Sequence, residues 1–505
     1  MAKWACLKAS SLPVVLLGAA ALLLCACGES SDPIAPGAGG SAASGAGSAG
    51  MPGSGGVASA PTWHQNIAPI MGQHCQGCHR DGGVGPFSLQ TYQQTKLWST
   101  ALAGIVEQGY MPPFLAETTA DCAPRFPFKE DLRVGADKVE LLRLWDLAGA
   151  PEGDPNAAAP LPPTPQLELS DAEVSVTIPA PITVEGFDDT FICFSLAPDL
   201  TPLAATGPEA ALLGERVLLD AVQVHPGNSL IVHHVLVYTD PNGDSATQAN
   251  EQGYYDCFGG PGVSGGSLVL AWAPGGVPVR APEGVAMAIP STGRLVMQVH
   301  YHAVGQAQTD STTSLQLRKY SAGLPEYVAT MALMGNSRGA TTGGMGLQPG
   351  PGDSAEPEFR IPAGAENHVE RMRLAVSENS PELRIWAVGT HMHYVGTDMR
   401  IGITRAAPGE EPAEECLLQT PDWDFNWQRG YLYDVPIEQA PSARAGDIID
   451  LRCTYDNSLN NSLVVEALEQ QGMTMPQDVL LGESTLEEMC LGVFGVAEKV
   501  SDLLQ

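Results

Sequence analysis

Two hydropathy textures divide the chain. From residue 166 onward, short apolar or alternating runs stand between clusters of Gly, Pro, Asn and Asp: Val174–Ile178, Thr190–Leu196, Val217–Val224, Leu230–Tyr238, Leu268–Ala273 and Arg294–Tyr301. Runs of that length, closed by turn residues, predict an all-β region built as sandwiches. A later run, Leu383–Val388, is branched and aromatic and predicts a strand leading into Gly389-Thr390-His391-Met392-His393. Before residue 166 the pattern differs. Gly135–Gly149 carries Leu141, Leu142 and Trp145 at helical spacing and predicts an amphipathic helix between two glycines. Leu12–Leu24 is an apolar run. Residues 28–60 hold almost no bulky side chain, so they bury no core and read as a flexible tether.

Length and charge narrow the picture. The 505 residues suggest about three domains at ~100–200 residues each. The net charge of −32, from 57 acidic and 25 basic side chains, argues against nucleic acid as a partner, because phosphates need a basic surface. The acids are scattered and read as a solubilising surface. Lys3 and Lys8 before the Leu12–Leu24 run make a secretory signal. It stops at Leu24-Cys25-Ala26-Cys27, ahead of Gly28, which resembles a bacterial lipoprotein box. Cys27 is then the lipidated residue, and several acyl chains would hold the protein on a membrane facing the periplasm or cell exterior. An ordinary cleaved signal is the rival. Either way the chain is exported to an oxidising compartment, where its remaining cysteines can pair.

Cys75-Gln76-Gly77-Cys78-His79 is the c-type haem attachment pattern. The two thiols of Cys75 and Cys78 bond the haem, and His79 becomes the proximal iron ligand. A redox dithiol would want a βαβ setting and a zinc knuckle a second cysteine pair, and neither is nearby. Met111, on the proline-stiffened stretch Gly109–Pro113, supplies the distal ligand. Met71 and His74 are alternatives. They precede the attachment turn and would need a sharp reversal to reach the other haem face. This unit resembles a small cytochrome c.

Histidines punctuate the β region. His391 and His393, two apart on a strand, share a face and can offer two imidazoles to one point. His233 and His234 are adjacent, so on a regular strand they face opposite ways; both reach one metal only if a bulge intervenes or one ring uses its other nitrogen. His300 lies near the end of the run Val296–His302, with His302 two residues on as a reserve ligand. His225 lies close to these motifs, and His368 and His64 read as surface residues. Each histidine pair taken alone also reads as a polar spot in a sheet.

The motifs gain meaning from their order: His233-His234-Val235-Leu236, Gln298-Val299-His300-Tyr301, Thr390-His391-Met392-His393, then Glu487-Glu488-Met489-Cys490. Together, over about residues 183–496, they resemble the copper type II, ascorbate-dependent monooxygenases, the family of dopamine beta-monooxygenase and peptidylglycine alpha-hydroxylating monooxygenase. The resemblance implies two copper ions. His233, His234 and His300 would form an electron-storing site, and His391, His393 and Met489 the site where oxygen is activated. A thioether favours Cu(I), which fits that division. Gln298 sits where the family has a glutamine near the first copper. The resemblance also implies a disulfide Cys453–Cys490. Cys193 and Cys257 are the only cysteines left in the first β-domain, and Cys122 and Cys416 have no evident partners. Two departures stand out. Gly389 occupies the place of an arginine that holds a substrate carboxylate in the peptidylglycine branch, and Val493 the place of a family tyrosine. Carboxylate-anchored peptides are therefore not the expected substrates. Gly335–Glu358 is a Gly/Pro-rich insertion that reads as a lid, and Trp423, Phe425 and Trp427 read as core or as a pocket lining.

The expected architecture is multidomain: a small all-α cytochrome c-like domain followed by two all-β, jelly-roll-like copper sandwiches. The segments are a lipoprotein signal (1–27), a tether (28–60), a haem domain (61–155), a linker (156–180), a three-histidine sandwich (181–325) and a His-His-Met sandwich (326–505). The expected function is an exported monooxygenase hydroxylating a C–H bond of a small organic substrate with O₂. Electrons would come from ascorbate or a redox protein, with the haem tethered so that it feeds the three-histidine copper. A copper- and haem-binding electron-transfer lipoprotein is the alternative. A non-redox adhesion sandwich has no account of the motif order.

Overall fold

The computed structural model describes residues 60–503 apart from 82, 84, 166, 205–213, 342–343, 354–355 and 485. The signal segment, residues 28–59 of the tether and Cys27 lie outside the described residues.

The chain is mostly β, as its hydropathy requires. Thr190–Leu196 and Arg294–Tyr301 form strands over the expected residues, and Arg216–His225, Val232–Asp240 and Leu268–Trp272 lie within two residues of theirs. A five-stranded sheet runs in the order Tyr254–Asp256, Thr190–Leu196, Arg294–Tyr301, Val232–Asp240, Leu268–Trp272. Its inward residues, among them Val235, Val237, Met297 and Val299, meet Val217, Leu219, Val285 and Leu317 of a ten-stranded sheet in one core. A six-stranded sheet containing His368–Ala375, Ile448–Tyr455 and Gly396–Thr404 covers the other half of that ten-stranded sheet, with Met372, Leu451, Ile401, Val388 and Phe494 between them.

The ten-stranded sheet belongs to both sandwiches. Tyr327–Gly335 pairs in parallel with Val285–Pro290 and antiparallel with Leu491–Lys499, which in turn pairs with Leu383–His391. The boundary expected at residue 325 thus falls between two strands of one sheet, Ser314–Lys319 and Tyr327–Gly335. The Gly/Pro-rich insertion is sheet edge in its described part: Gly346 and Leu347 pair with Arg373 and Met372.

Ahead of the sheets lies a small helical unit. Ala68–His74, Ser99–Glu107 and Ala136–Leu147 surround Trp63, Ile67, Met71, Leu102, Leu142 and Trp145. The glycine-bounded helix forms as expected, burying Leu142 and Trp145 and leaving Leu141 half-buried. Residues 114–131 then leave this unit and cross the second sandwich as a strap. Phe114 and Ala116 join its core, Phe128 bridges to Tyr433, and Glu117 N–H donates to the Gln419 carbonyl at 3.0 Å.

Three disulfides, Cys122–Cys416, Cys193–Cys257 and Cys453–Cys490, indicate an extracellular or periplasmic setting. The first closes the strap onto the second sandwich and pairs the two cysteines for which the sequence offered no partner. Among the described residues, no helix is long and apolar enough to cross a membrane.

Candidate metal centre

The strand Val232–Asp240 sends Val235 and Val237 into the core, so His234, Leu236 and Tyr238 face outward by alternation. Strict alternation would bury His233 with the valines. Instead the register slips: His300 pairs with His234, but Tyr301 pairs with Val232, leaving His233 as the extra residue of a bulge. The bulge turns both adjacent histidines to one side. Their ring centroids are 5.6 Å apart, and His300 lies 5.2 Å from His233 and 4.6 Å from His234. One ligand nitrogen from each of the three falls within 4.8 Å of the others, a spacing that could hold a metal ion. Phe425 stacks on His233 at 4.1 Å and Phe191 on His300 at 4.2 Å.

The second pair arrives differently from the i, i+2 strand geometry expected. The strand Leu383–His391 ends at the first histidine, and His393 lies in the turn beyond it. What fixes that turn is Glu488. Its buried carboxylate accepts the N–H groups of His393 (2.7 Å), Val395 (3.2 Å) and its own neighbour Met489 (2.6 Å). One side chain therefore ties the second histidine to the methionine. The rings of His391 and His393 stand 5.3 Å apart and perpendicular. His391 Nδ1 lies 2.6 Å from Gln428 Oε1, whose amide is oriented by donation to the Phe425 carbonyl. His393 Nδ1 lies 2.9 Å from the Glu487 carbonyl. Both acceptors require an Nδ1–H donor, which fixes the tautomer and leaves each Nε2 lone pair available. Met489 is held by Tyr455, whose hydroxyl donates to its carbonyl at 2.8 Å, and by the disulfide at Cys490.

The two sets are neighbours. His234 and His391 are 5.8 Å apart, so His233, His234, His300, His391 and His393 form one continuous cluster. Of these, His234 and His391 line a cavity of about 290 Å³ between the outer face of the five-stranded sheet and the second half of the ten-stranded sheet. Met489, Gln298, Arg429 and Val493 line it, with an otherwise largely apolar wall. Gln298 itself is held by the Cys257 carbonyl at 2.9 Å.

Burial sets the protonation. It holds His233 and His234 well below the ordinary imidazole range, aided by the neighbouring imidazoles. It brings His391 to about 4 against the Gln428 hydrogen bond, and His393 to about 3 with help from His391. Neutral imidazoles are the ligand form. The fit to a metal rests on one observation above the rest: both His233 nitrogens are buried and have no hydrogen-bond partner. Such groups are normally satisfied, and a cation between the rings would take up the one that carries the lone pair. His300 Nε2 also forms no hydrogen bond, although Asp189 Oδ1 is 3.2 Å away, within ion-pair range.

The other histidines are engaged elsewhere. His302 Nδ1 meets Asp189 Oδ1 at 2.9 Å and its Nε2 meets the Tyr394 hydroxyl at 3.3 Å. His225 pairs with Gln316. His368 is not a surface residue: it sits on a strand's inward face, buried, 2.8 Å from the Glu370 carboxylate. Of the aromatic triplet, Phe425 packs between His233 and Tyr394, and Trp423 donates to the His393 carbonyl. Sequence reasoning missed Gln428 and Asp189, which act from distant segments with no local pattern to mark them, and named Glu488 only within the Met489 motif, without its hold on the His393 turn.

In the helical unit, Cys75, Cys78 and His79 occupy the turn after Ala68–His74, and the two cysteines are free thiols. His79 Nδ1 lies 3.1 Å from the Phe87 carbonyl, which again leaves Nε2 available. Met111 packs half-buried against the same small core. The alternatives are committed: Met71 is fully buried, and His74 is bound on both nitrogens, by the Leu132 carbonyl at 2.8 Å and Lys138 at 2.9 Å. Cys75, Cys78 and His79 thus share one turn beside the core that Met111 also joins.

No family model matches the chain, and no curated protein does. Solved structures match only distantly. A fucolectin from striped bass (Morone saxatilis) serum is 10% identical, with 62% of this chain and 85% of that chain covered and a TM-score of 0.12. The VP2 subviral particle of infectious bursal disease virus gives 10%, 69%, 76% and 0.17. The glycosylasparaginase PNGase F from Flavobacterium meningosepticum gives 8%, 65%, 90% and 0.21. Likeness this shallow supports no inference about fold or function.

Proposed function

We propose that this protein is an exported copper-dependent monooxygenase. It inserts one atom of O₂ into a C–H bond of a small, largely apolar organic substrate while the other atom leaves as water. The observation that carries the reading is the cluster of five histidines that opens, through His234 and His391, on a largely apolar cavity also lined by Met489. His233, His234 and His300 would hold one copper and His391, His393 and Met489 the other; the metals supply one-electron storage and oxygen activation. The rest is done by the chain. Gln428 and the Glu487 carbonyl aim the second pair of imidazoles, Glu488 fixes the turn between them and the methionine, and Phe191 and Phe425 keep water from the triad. The apolar walls bind and orient the substrate by burial. Two electrons per turnover come from ascorbate or a redox protein, with a c-type haem on Cys75, Cys78, His79 and Met111 as the relay. Cys27 would carry the lipid anchor.

A second reading, an electron-transfer lipoprotein without hydroxylase activity, draws on Gly389 and Val493. Both line the cavity at the places where the family keeps an arginine and a tyrosine. Metal and haem content of the purified full chain, measured beside Met489→Ala, separates the two. The hydroxylase reading expects two coppers, one covalent haem, and haem reoxidation by O₂ that needs both copper and Met489. Two coppers with haem oxidation indifferent to Met489 would favour the electron carrier. Absence of bound copper would end both.

A further inference from the structure

The fused haem unit was expected to serve the triad of His233, His234 and His300. The packing points elsewhere. Met111 and the strap that follows it lead toward the short segment Gln428–Tyr431.

On one side, Arg429 reaches the strap that leaves the haem unit. Its guanidinium lies 3.5 Å from Glu130 and packs over Phe114 at 5.3 Å. It is nine-tenths buried, and its Nε has no hydrogen-bond partner. On the other side, the Met111 loop runs through Pro112 and Pro113 directly into Phe114, whose ring meets Tyr431 edge-on at 5.2 Å. The Tyr431 hydroxyl accepts the Leu115 N–H at 3.1 Å. Tyr431 and Gly430 in turn pair with Val388 and Gly389, on the strand that ends in His391. Gln428, the residue before Arg429, bonds the His391 ring at 2.6 Å. Among the described residues, the rings and charge set against the triad from outside the histidine cluster are Phe191, Phe425, His302 and Asp189, none from the helical unit or the strap.

We propose that Gln428–Tyr431 is the electron route from the haem unit, and that the electron enters the histidine cluster at His391 rather than at the triad. This rests on the haem-relay reading above. The step is a one-electron exchange: ferrous haem becomes ferric and one Cu(II) becomes Cu(I). No bond or proton changes at Gln428 or Arg429, and ascorbate or a redox protein restores the haem. The triad is then filled second, from His391 through His234, 5.8 Å away.

The test is anaerobic stopped-flow oxidation of the ferrous haem by Cu(II) in the full haem- and copper-loaded chain, followed optically, with copper reduction followed by electron paramagnetic resonance. His300→Ala should still oxidise its haem rapidly, with loss of one cupric signal. His391→Ala should lose the rapid phase. Phe114→Leu, which touches no metal ligand and removes the ring met by Tyr431 and Arg429, should slow that phase while leaving copper content unchanged. A rapid phase kept in His391→Ala and lost in His300→Ala would overturn the route and leave the relay standing. Haem oxidation indifferent to copper in the unaltered chain would overturn relay and route together.

Discussion

His233 shows what a single residue is made to bear for the site. A buried ring with two unpaired nitrogens costs the metal-free protein about 1–3 kcal/mol relative to an apolar ring in the same space. Its stacking on Phe425 at 4.1 Å supplies a shape that phenylalanine would also fill. His233→Phe should therefore raise the melting temperature of the metal-stripped protein and shrink the further rise that copper gives the unaltered chain. Calorimetry with and without copper reads both effects; a lower melting temperature for the stripped variant would mean the ring is satisfied in the native protein. At this scale the sequence marked the histidines that come together and was silent about what aims them. The need for a bulge at His233-His234 followed from strand alternation, and the bulge is there. The i, i+2 logic for His391 and His393 brought the right residues together for an incomplete reason, since Glu488, 95 residues along the chain, does the positioning.

The strap of residues 114–131 is the element that sequence reading did not separate from the helical unit. Its apolar residues are too few to form a periodic pattern, and its partners are distant. Cys122 joins Cys416 across 294 residues, and Arg125 reaches Glu411 at 2.8 Å and Glu415 at 3.0 Å. A crosslink over so long a loop typically contributes about 2–4 kcal/mol by restricting the unfolded chain. The ion pairs add a pH dependence. Burial alone would raise the Glu411 carboxyl, but Ser442, Arg125 and Arg405 hold it down to about 2, below the 4.5 of a free glutamate. Folding thus favours its charged form. That contribution is complete above pH 4.5 and disappears as pH falls toward 2. The melting temperature should fall across this window, and Glu411→Gln should flatten the fall relative to the unaltered chain. Identical acid profiles for the two proteins would show that Glu411 does not fasten the strap.

For the whole molecule, strand positions were legible because alternation and turn residues are local signals, whereas the sharing of one sheet by two sandwiches was not. Sheet order depends on pairings such as Tyr327 with Val285, which no local pattern encodes. The sharing has a mechanical consequence. The first core contains Trp386, Ala387 and Ala497, all from beyond residue 325. A chain ending at residue 325 would lose those side chains and expose the Val285–Pro290 edge along which Tyr327–Gly335 pairs. Unpaired strand edges with apolar faces invite aggregation. That truncation should be insoluble or lack fixed tertiary structure by near-ultraviolet circular dichroism, and in the full chain the two sandwiches should melt in one calorimetric transition. A soluble, cooperatively folding fragment would show that the halves are separable. The cavity between them would then be a joint that can open, rather than a fixed wall holding His234 and His391 side by side.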